Sequence, residues 1–340
     1  MSAEPRDAVP ILGQAPVFMT MLEHVSQAAP LSRPVLVSGE RGTGKELVAS
    51  RLHYLSNRWD RPLVKVNCAA LTESLLDTEL FGHEAGAFTG ATRTHVGHFE
   101  SAAEGTLILD ELGTISPRMQ EKVLRVIEYG EFRRVGGSRT LLTNARVIGV
   151  TNENLPELAR RGEFRADLLD RLAFDVIHVP PLRARADDIL PLAFHFGIGV
   201  TSELKRSFFP GFDPDAEAAL LRHAWPGNVR ELRNAVERSV YRAADPDVPL
   251  AEILFDPFAP PFGSQRSAPT GAAPHSSEVS DEETVTEDFK AAVAAFERQL
   301  LRRALERAQF NQRVTAELLG LTYHQLRGLV RKYGESLTAR

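Results

Sequence analysis

Apolar positions in the first half of the chain switch between helical and strand-like patterns. Residues 17–29 (VFMTMLEHVSQAA) repeat at helical spacing. Residues 35–38 (VLVS) form a short apolar run of the kind a buried parallel strand needs. An amphipathic run over 46–54 predicts a helix, 63–67 (LVKVN) a strand and 71–80 another helix. Residues 105–111 (GTLILDE) read as a wholly apolar strand that ends in two acids. Beyond it come a helix over 120–129, a basic hairpin or loop over 130–139, a strand over 146–150 and a helix over 164–174. The pattern predicts an α/β fold, a parallel sheet flanked by helices.

The second half is organised differently. Residues 179–182 (VPPL) mark a boundary, and 187–244 read as a smaller helical bundle. Residues 258–286 are rich in Pro, Ser, Gly, Ala and acids, which is linker composition. Helices over 289–308, 312–319 and 323–333, with Gly320, Leu321 and Thr322 in the last turn, have helix-turn-helix spacing. The expected domains are therefore a lead-in (1–9), an α/β core (10–182), a helical lid (183–257), a linker (258–286) and a helix-turn-helix domain (287–340).

Between the first strand and its helix lies Gly39-Glu40-Arg41-Gly42-Thr43-Gly44-Lys45. Strand, Gly-rich loop and helix make a phosphate-binding loop. Backbone N–H groups and the helix N-terminus face the phosphates, and Lys45 adds a point charge. Glu46 stands where the general pattern has a Ser or Thr for Mg²⁺. In such a site Asp110 would hold Mg²⁺ and Glu111 would polarise the attacking water. Asn67, at a strand end, either points at the nucleotide or caps a turn. Thr151 and Asn152 either sense the terminal phosphate or cap the next segment. Arg165 and Arg171 are either arginine fingers for a neighbouring subunit or salt-bridge partners of Asp167 and Asp170. Arg230, early in the helix opened by Trp225-Pro226-Gly227, can reach phosphate.

Three further features point outward. Trp59 sits in a polar loop, either folded back on the core or exposed as an anchor for a partner. Residues 81–91 (FGHEAGAFTGA) match neither helix nor strand, and taken alone read as a buried irregular loop. From residue 289 on, Lys and Arg outnumber Asp and Glu, although the whole 340-residue chain carries a net charge of −5. That basic tail fits a DNA phosphate backbone. Thr322, Tyr323, His324, Gln325 and Arg327 would read bases, with Arg313 and Arg331 nearer phosphate; a dimerisation tail is the other reading. The single cysteine, Cys68, lies in an apolar run and excludes an internal disulfide. No apolar run approaches the ~18 residues of a membrane span, and no signal-peptide pattern opens the chain. A cytoplasmic protein is expected.

Taken together, GERGTGKE, GAFTGA, LILDE, FRADLLDRL and WPGNVREL resemble, in order and spacing, the bacterial enhancer-binding proteins, the AAA+ activators of sigma-54 RNA polymerase. The resemblance implies an AAA+ ATPase with a helical lid and a Fis-like helix-turn-helix, using ATP and Mg²⁺ in a hexameric ring. Glu46 is normal after the phosphate-loop Lys in that family. Asn67 would hold Glu111 inactive until the nucleotide state changes. Thr151 and Asn152 would be sensor I, Arg230 sensor II, and Arg165 and Arg171 the fingers acting in trans. Gly86, Ala87, Phe88, Thr89, Gly90 and Ala91 would form the loop that touches sigma-54 and, through Phe88, promoter DNA. The hairpin near Arg134 and Val135 would be its companion loop. The implied partners are the sigma-54 RNA polymerase holoenzyme, enhancer DNA and other copies of the chain. No sensory domain precedes the ATPase motifs, so a negative regulator acting in trans is expected, with Trp59 as its contact. An AAA+ remodeller for another client, and a DNA-binding regulator with a vestigial ATPase, are the competing readings.

Overall fold

The computed structural model describes residues 11–258 and, further on, 301–305, 308, 312, 315–316, 319, 321 and 323–337. The chain divides into two compact units, Met1–Phe262 and Gly263–Arg340.

In the first unit, α1 (Pro16–Ala28) precedes β1 (Val35–Ser38), α2 (Lys45–Tyr54), β2 (Leu63–Asn67), α3 (Glu73–Phe81) and the short α4 (His98–Ser101). Then come β3 (Thr106–Asp110), α5 (Pro117–Tyr129), β4 (Glu131–Arg133), β5 (Thr140–Leu142) and β6 (Arg146–Thr151). The core closes with α6 (Leu155–Arg160), α7 (Ala166–Leu172) and β7 (Val176–His178). Five strands pair in the order β2-β3-β6-β1-β7, all parallel. Apolar side chains on the two sheet faces feed two separate clusters. Leu107 and Leu109 of β3 join one, and Ile108 between them joins the other. This is the period-2 alternation of a sheet covered on both sides.

Helix boundaries depart from the expected ones where caps decide. The Ser116 hydroxyl accepts the N–H of Met119, so α5 starts at Pro117 rather than at 120. Arg165 is not inside a helix. It is the cap residue of α7, and its N–H is taken by the Gln120 side chain at 2.7 Å. The hairpin or loop expected over 130–139 is a hairpin of antiparallel β4 and β5 that runs on to Leu142.

The lid consists of α8 (Ile189–Glu203), α9 (Pro214–Arg222) and α10 (Asn228–Arg242) around fully buried Trp225. The Trp225 indole N–H donates to the Leu220 carbonyl at 2.9 Å, so burial leaves no donor unmet. In the second unit, a helix spans Tyr323–Leu337, and Leu301, Ala316, Leu326 and Tyr333 are packed as a small core.

Candidate ATPase site and surface loops

The carboxyl ends of parallel strands are where an open α/β sheet binds ligands. Here the ends of β1, β2, β3 and β6 carry Gly39, Asn67, Asp110 and Thr151. Gly44 adopts φ +97°, in the left-handed region, and lets the loop turn directly into α2. Gly42 is fixed for a second reason: a Cβ there would lie 2.3 Å from the Gly227 carbonyl oxygen of the lid. The Arg230 N–H donates to the Gly42 carbonyl at 3.3 Å. Lys45 Nζ donates to the carbonyls of Gly39 and Glu40, each at 2.9 Å. Burial lowers the Lys45 pKa, and the neighbouring Asp110 and Glu111 carboxylates oppose that shift.

Asn67 and Asp110 are register partners on adjacent strands. Asn67 Oδ1 accepts the N–H groups of Ala69 and Ala70, so the side chain caps the turn that follows. Burial pushes the Asp110 carboxyl up, and the nearby carboxylates of Glu111 and Glu46 add to it. The Glu111 N–H, donating to Asp110 Oδ1 at 2.9 Å, opposes the rise. Glu111 itself sits at φ +53°, a conformation costly for a residue with a Cβ. Thr151 is buried, its hydroxyl accepting the Glu153 N–H, and Asn152 reaches Glu153 at 3.4 Å. Burial pushes the Cys68 thiol up to about 12, which makes it an inert core residue.

The lid grips the phosphate loop through residues to which the sequence reading gave no role of their own. Asn228, fully buried at φ +53°, accepts the Leu182 N–H at 2.8 Å. Its amide donates to Glu40 Oε2 at 3.1 Å and to the Arg41 carbonyl at 3.0 Å. The Arg183 guanidinium forks onto both Glu40 oxygens. Arg183 first, and Asn228 second, hold the Glu40 pKa down to about 2. Buried Arg185 donates to the Thr43 carbonyl at 3.0 Å and stacks on Phe18. Beside it a cleft of about 90 Å³ lies between Leu12, Phe18, Leu47 and Val229, an apolar slot next to the phosphate loop.

Arg165 pairs with Asp167, as one expectation had it. Arg171 pairs with Glu128 of α5 at 2.8 Å, not with Asp170. Neighbouring helical residues project in different directions, so Arg171 meets the packed helix instead. Both guanidinium groups remain exposed.

The segment 81–91 is buried at its ends, at Phe81, Gly82 and Ala91, but its tip is not covered as composition alone suggested. Phe88 is exposed, its ring 5.0 Å from that of His83. Gly86 and Gly90 both have positive φ with open space where a Cβ would stand. The Gly86 N–H donates to the Ala91 carbonyl at 2.7 Å, closing the base of the turn. Arg134 of the hairpin bonds Glu84 at 3.0 Å and Glu100 at 2.8 Å, which clamps hairpin and loop together. Gly136 touches Ala87; a Cβ there would lie 2.6 Å from the Ala87 Cβ. Trp59 is 64 % exposed, so it does not fold back on the core.

Of the residues expected at DNA, Arg327 and Arg331 are exposed and four apart on one helix. Tyr323, His324 and Gln325 open that helix. Arg313 and Thr322 lie outside the described residues. No helix among the described residues is long and apolar enough to cross a membrane.

A phosphate loop after β1, an acid pair at the end of β3 with β6 inserted between those two strands, and a helical lid closing on the loop define a P-loop ATPase of the AAA+ class. The model of the sigma-54 interaction domain matches residues 11–178, that of the AAA+ ATPase lid domain 183–259, and that of the Fis family of bacterial regulatory proteins 292–333. The Psp operon transcriptional activator of Escherichia coli K12 is 53 % identical over 323 residues, 95 % of this chain and 97 % of that protein. The Nif-specific regulatory protein of Azospirillum brasilense is 49 % identical over 68 % of this chain, which spans 37 % of that longer protein. The crystal structure of NtrX from Brucella abortus in complex with ATP matches with a TM-score of 0.71 at 30 % identity, covering 97 % of this chain and 70 % of that one. The chain belongs to the sigma-54-dependent transcriptional activators, AAA+ ATPases with a Fis-type DNA-binding domain.

Proposed function

We propose that the chain binds an upstream enhancer and uses ATP hydrolysis to convert a closed sigma-54 RNA polymerase complex at a promoter into an open one. The likeness to the Psp operon activator extends the proposal to genes of the phage-shock type. One observation carries the coupling: two helices, α3 and α5, connect the acid end of the site to the two surface loops. After Asn67, at the end of β2, the chain passes through α3 to the loop that bears Phe88, and after Asp110, at the end of β3, it passes through α5 to the hairpin. Arg134 then fastens the two ends together. A small change at the paired strand ends is thus delivered to both loops at once.

In this reading Lys45 and the loop amides of Gly39, Glu40, Arg41, Gly42, Thr43 and Gly44 bind the phosphates. Mg²⁺ would supply charge neutralisation on the phosphates, with Asp110 as its protein ligand and phosphate and water oxygens filling the other positions, since no group of three or more acids, His or Cys among the described residues is placed to hold a metal. Asp110 holds it, and Glu111 orients water. Asn67 restrains Glu111, Thr151 and Asn152 sense the terminal phosphate, and Arg230 reports to the lid. Arg165 and Arg171 complete the site from the next subunit of a hexameric ring. Gly86 to Ala91 contact sigma-54. Arg327 and Arg331, with the first residues of their helix, hold enhancer DNA. A negative regulator binds the ATPase face at Trp59.

The test is ATP-dependent open-complex formation on a sigma-54 promoter with wild type and Thr89→Ala. Wild type opens the promoter, while Thr89→Ala hydrolyses ATP and does not. Hydrolysis by wild type without opening would assign the ATPase to another client.

A further inference from the structure

Glu46 follows the phosphate-loop lysine directly, in the first turn of α2. It does not stand free. Lys65 of β2 donates from Nζ to Glu46 Oε1 at 3.0 Å. Lys65 lies two residues before Asn67 and so shares its face of the strand. The local charges are then the carboxylates of Glu46, Asp110 and Glu111, against the ammonium groups of Lys45 and Lys65 and the guanidinium groups of Arg41 and Arg230. Glu46 is close enough to Asp110 for its charge to be felt there.

We infer that Lys65 is a positioning residue that competes with the divalent cation for Glu46 and so sets how much Mg²⁺ the ATPase needs. This rests on the reading above that Mg²⁺ is held beside Asp110. With Glu46 paired to Lys65, the carboxylate is withheld from the cation and from its hydration shell, and one negative charge is neutralised. When the pair opens, Glu46 adds its charge to that of Asp110 and the cation is held more firmly. Both side chains are largely exposed, with 43 % and 60 % of their side-chain surface accessible. The pair can therefore exchange without disturbing the core, and its effect is of the size typical of an exposed pair.

The experiment reads metal binding directly. Free Mn²⁺ is titrated by electron paramagnetic resonance into full-length protein held in excess over ATPγS, so that the nucleotide is protein-bound. Lys65→Met is expected to lower the Mn²⁺ dissociation constant about two- to fivefold, with thermal unfolding unchanged. In the same variant, ATPγS binding in EDTA stays equal or weakens, because a positive charge has left the neighbourhood of the phosphates. Lys65→Arg restores the wild-type metal affinity. Glu46→Gln weakens Mn²⁺ binding, and Lys65→Met added to Glu46→Gln changes nothing further, because Lys65 acts through Glu46. An unchanged or raised dissociation constant in Lys65→Met overturns the inference. So does an equal shift with and without Glu46, which would make Lys65 a general charge rather than a partner of Glu46. Failure of the wild-type nucleotide complex to bind Mn²⁺ at all would instead sink the reading of Asp110 as the metal ligand.

Discussion

Asn228 offers the sharpest test of how the lid is joined to the phosphate loop. Its side chain is fully buried and makes one bond to Leu182 and two to the loop, at Glu40 and Arg41. Asn228→Ala removes all three. The Leu182 N–H, on a fully buried residue, is left without an acceptor, at about 1–3 kcal/mol. Loss of the bond to the half-buried Arg41 carbonyl adds about 0.5–1 kcal/mol. Asn tolerates the left-handed backbone at φ +53° and Ala does not, which adds about 1 kcal/mol. The expected loss is about 2.5–5 kcal/mol, a large share of the roughly 5–15 kcal/mol of a typical domain. Urea unfolding, followed through the emission of buried Trp225, measures it. Asn228→Gly separates the contributions: it also loses the three bonds but relieves the backbone, and should be about 1 kcal/mol more stable than Asn228→Ala. A loss below about 1 kcal/mol for Asn228→Ala would refute the reasoning, because the buried Leu182 N–H alone predicts more. Equal stability of the Ala and Gly variants would refute the backbone part.

Glu40 gives the same junction a pH dependence. Its folded-state pKa is depressed from 4.5 to about 2, so its contribution is fully present above the unfolded value and is lost as pH falls from 4.5 towards 2. Glu40→Gln, or Arg183→Met, should make the acid limb of the stability profile shallower in that window; an unchanged limb would show that the fork does not matter in solution. Glu111→Gln should keep ATP binding within about threefold of wild type while lowering turnover by 100-fold or more, on the order of the loss from removing a positioned base; comparable loss of both would make Glu111 a structural residue. Trp59→Ala should escape a trans-acting inhibitor with ATP hydrolysis unchanged, as measured by phosphate release with and without that protein, and full repression of the variant would remove Trp59 from the contact.

Much of the fold was legible because the strands are short apolar runs bounded by polar or Gly residues. β1 and β2 have the bounds that the runs in Val35–Ser38 and Leu63–Asn67 predict. The phosphate loop and the acid pair were legible for a similar reason: their chemistry depends on residues adjacent in sequence and on the strand ends that present them. Helix starts were less so. Ser116 and Gln120 cap or tie segments through single hydrogen bonds that periodicity does not register. The exposure of Phe88 also escaped composition, since a Gly-rich stretch with one aromatic looks alike whether it is covered or not.

The sequence by itself determined the order of the parallel-sheet units, the nucleotide loop, its acids and the helix-turn-helix spacing, all of which follow from local pattern. The tertiary structure alone decided which polar groups distant in sequence meet. Asn228 finds Glu40 across 188 positions, and Arg134 finds Glu84 across 50. Arg171 turned to Glu128 over its neighbour Asp170. A hydrogen bond requires atoms about 3 Å apart, and that separation exists only once helices and strands have packed. The clasps between lid, phosphate loop and surface loops are therefore properties of the packed molecule, while the chemistry they serve is written in contiguous residues.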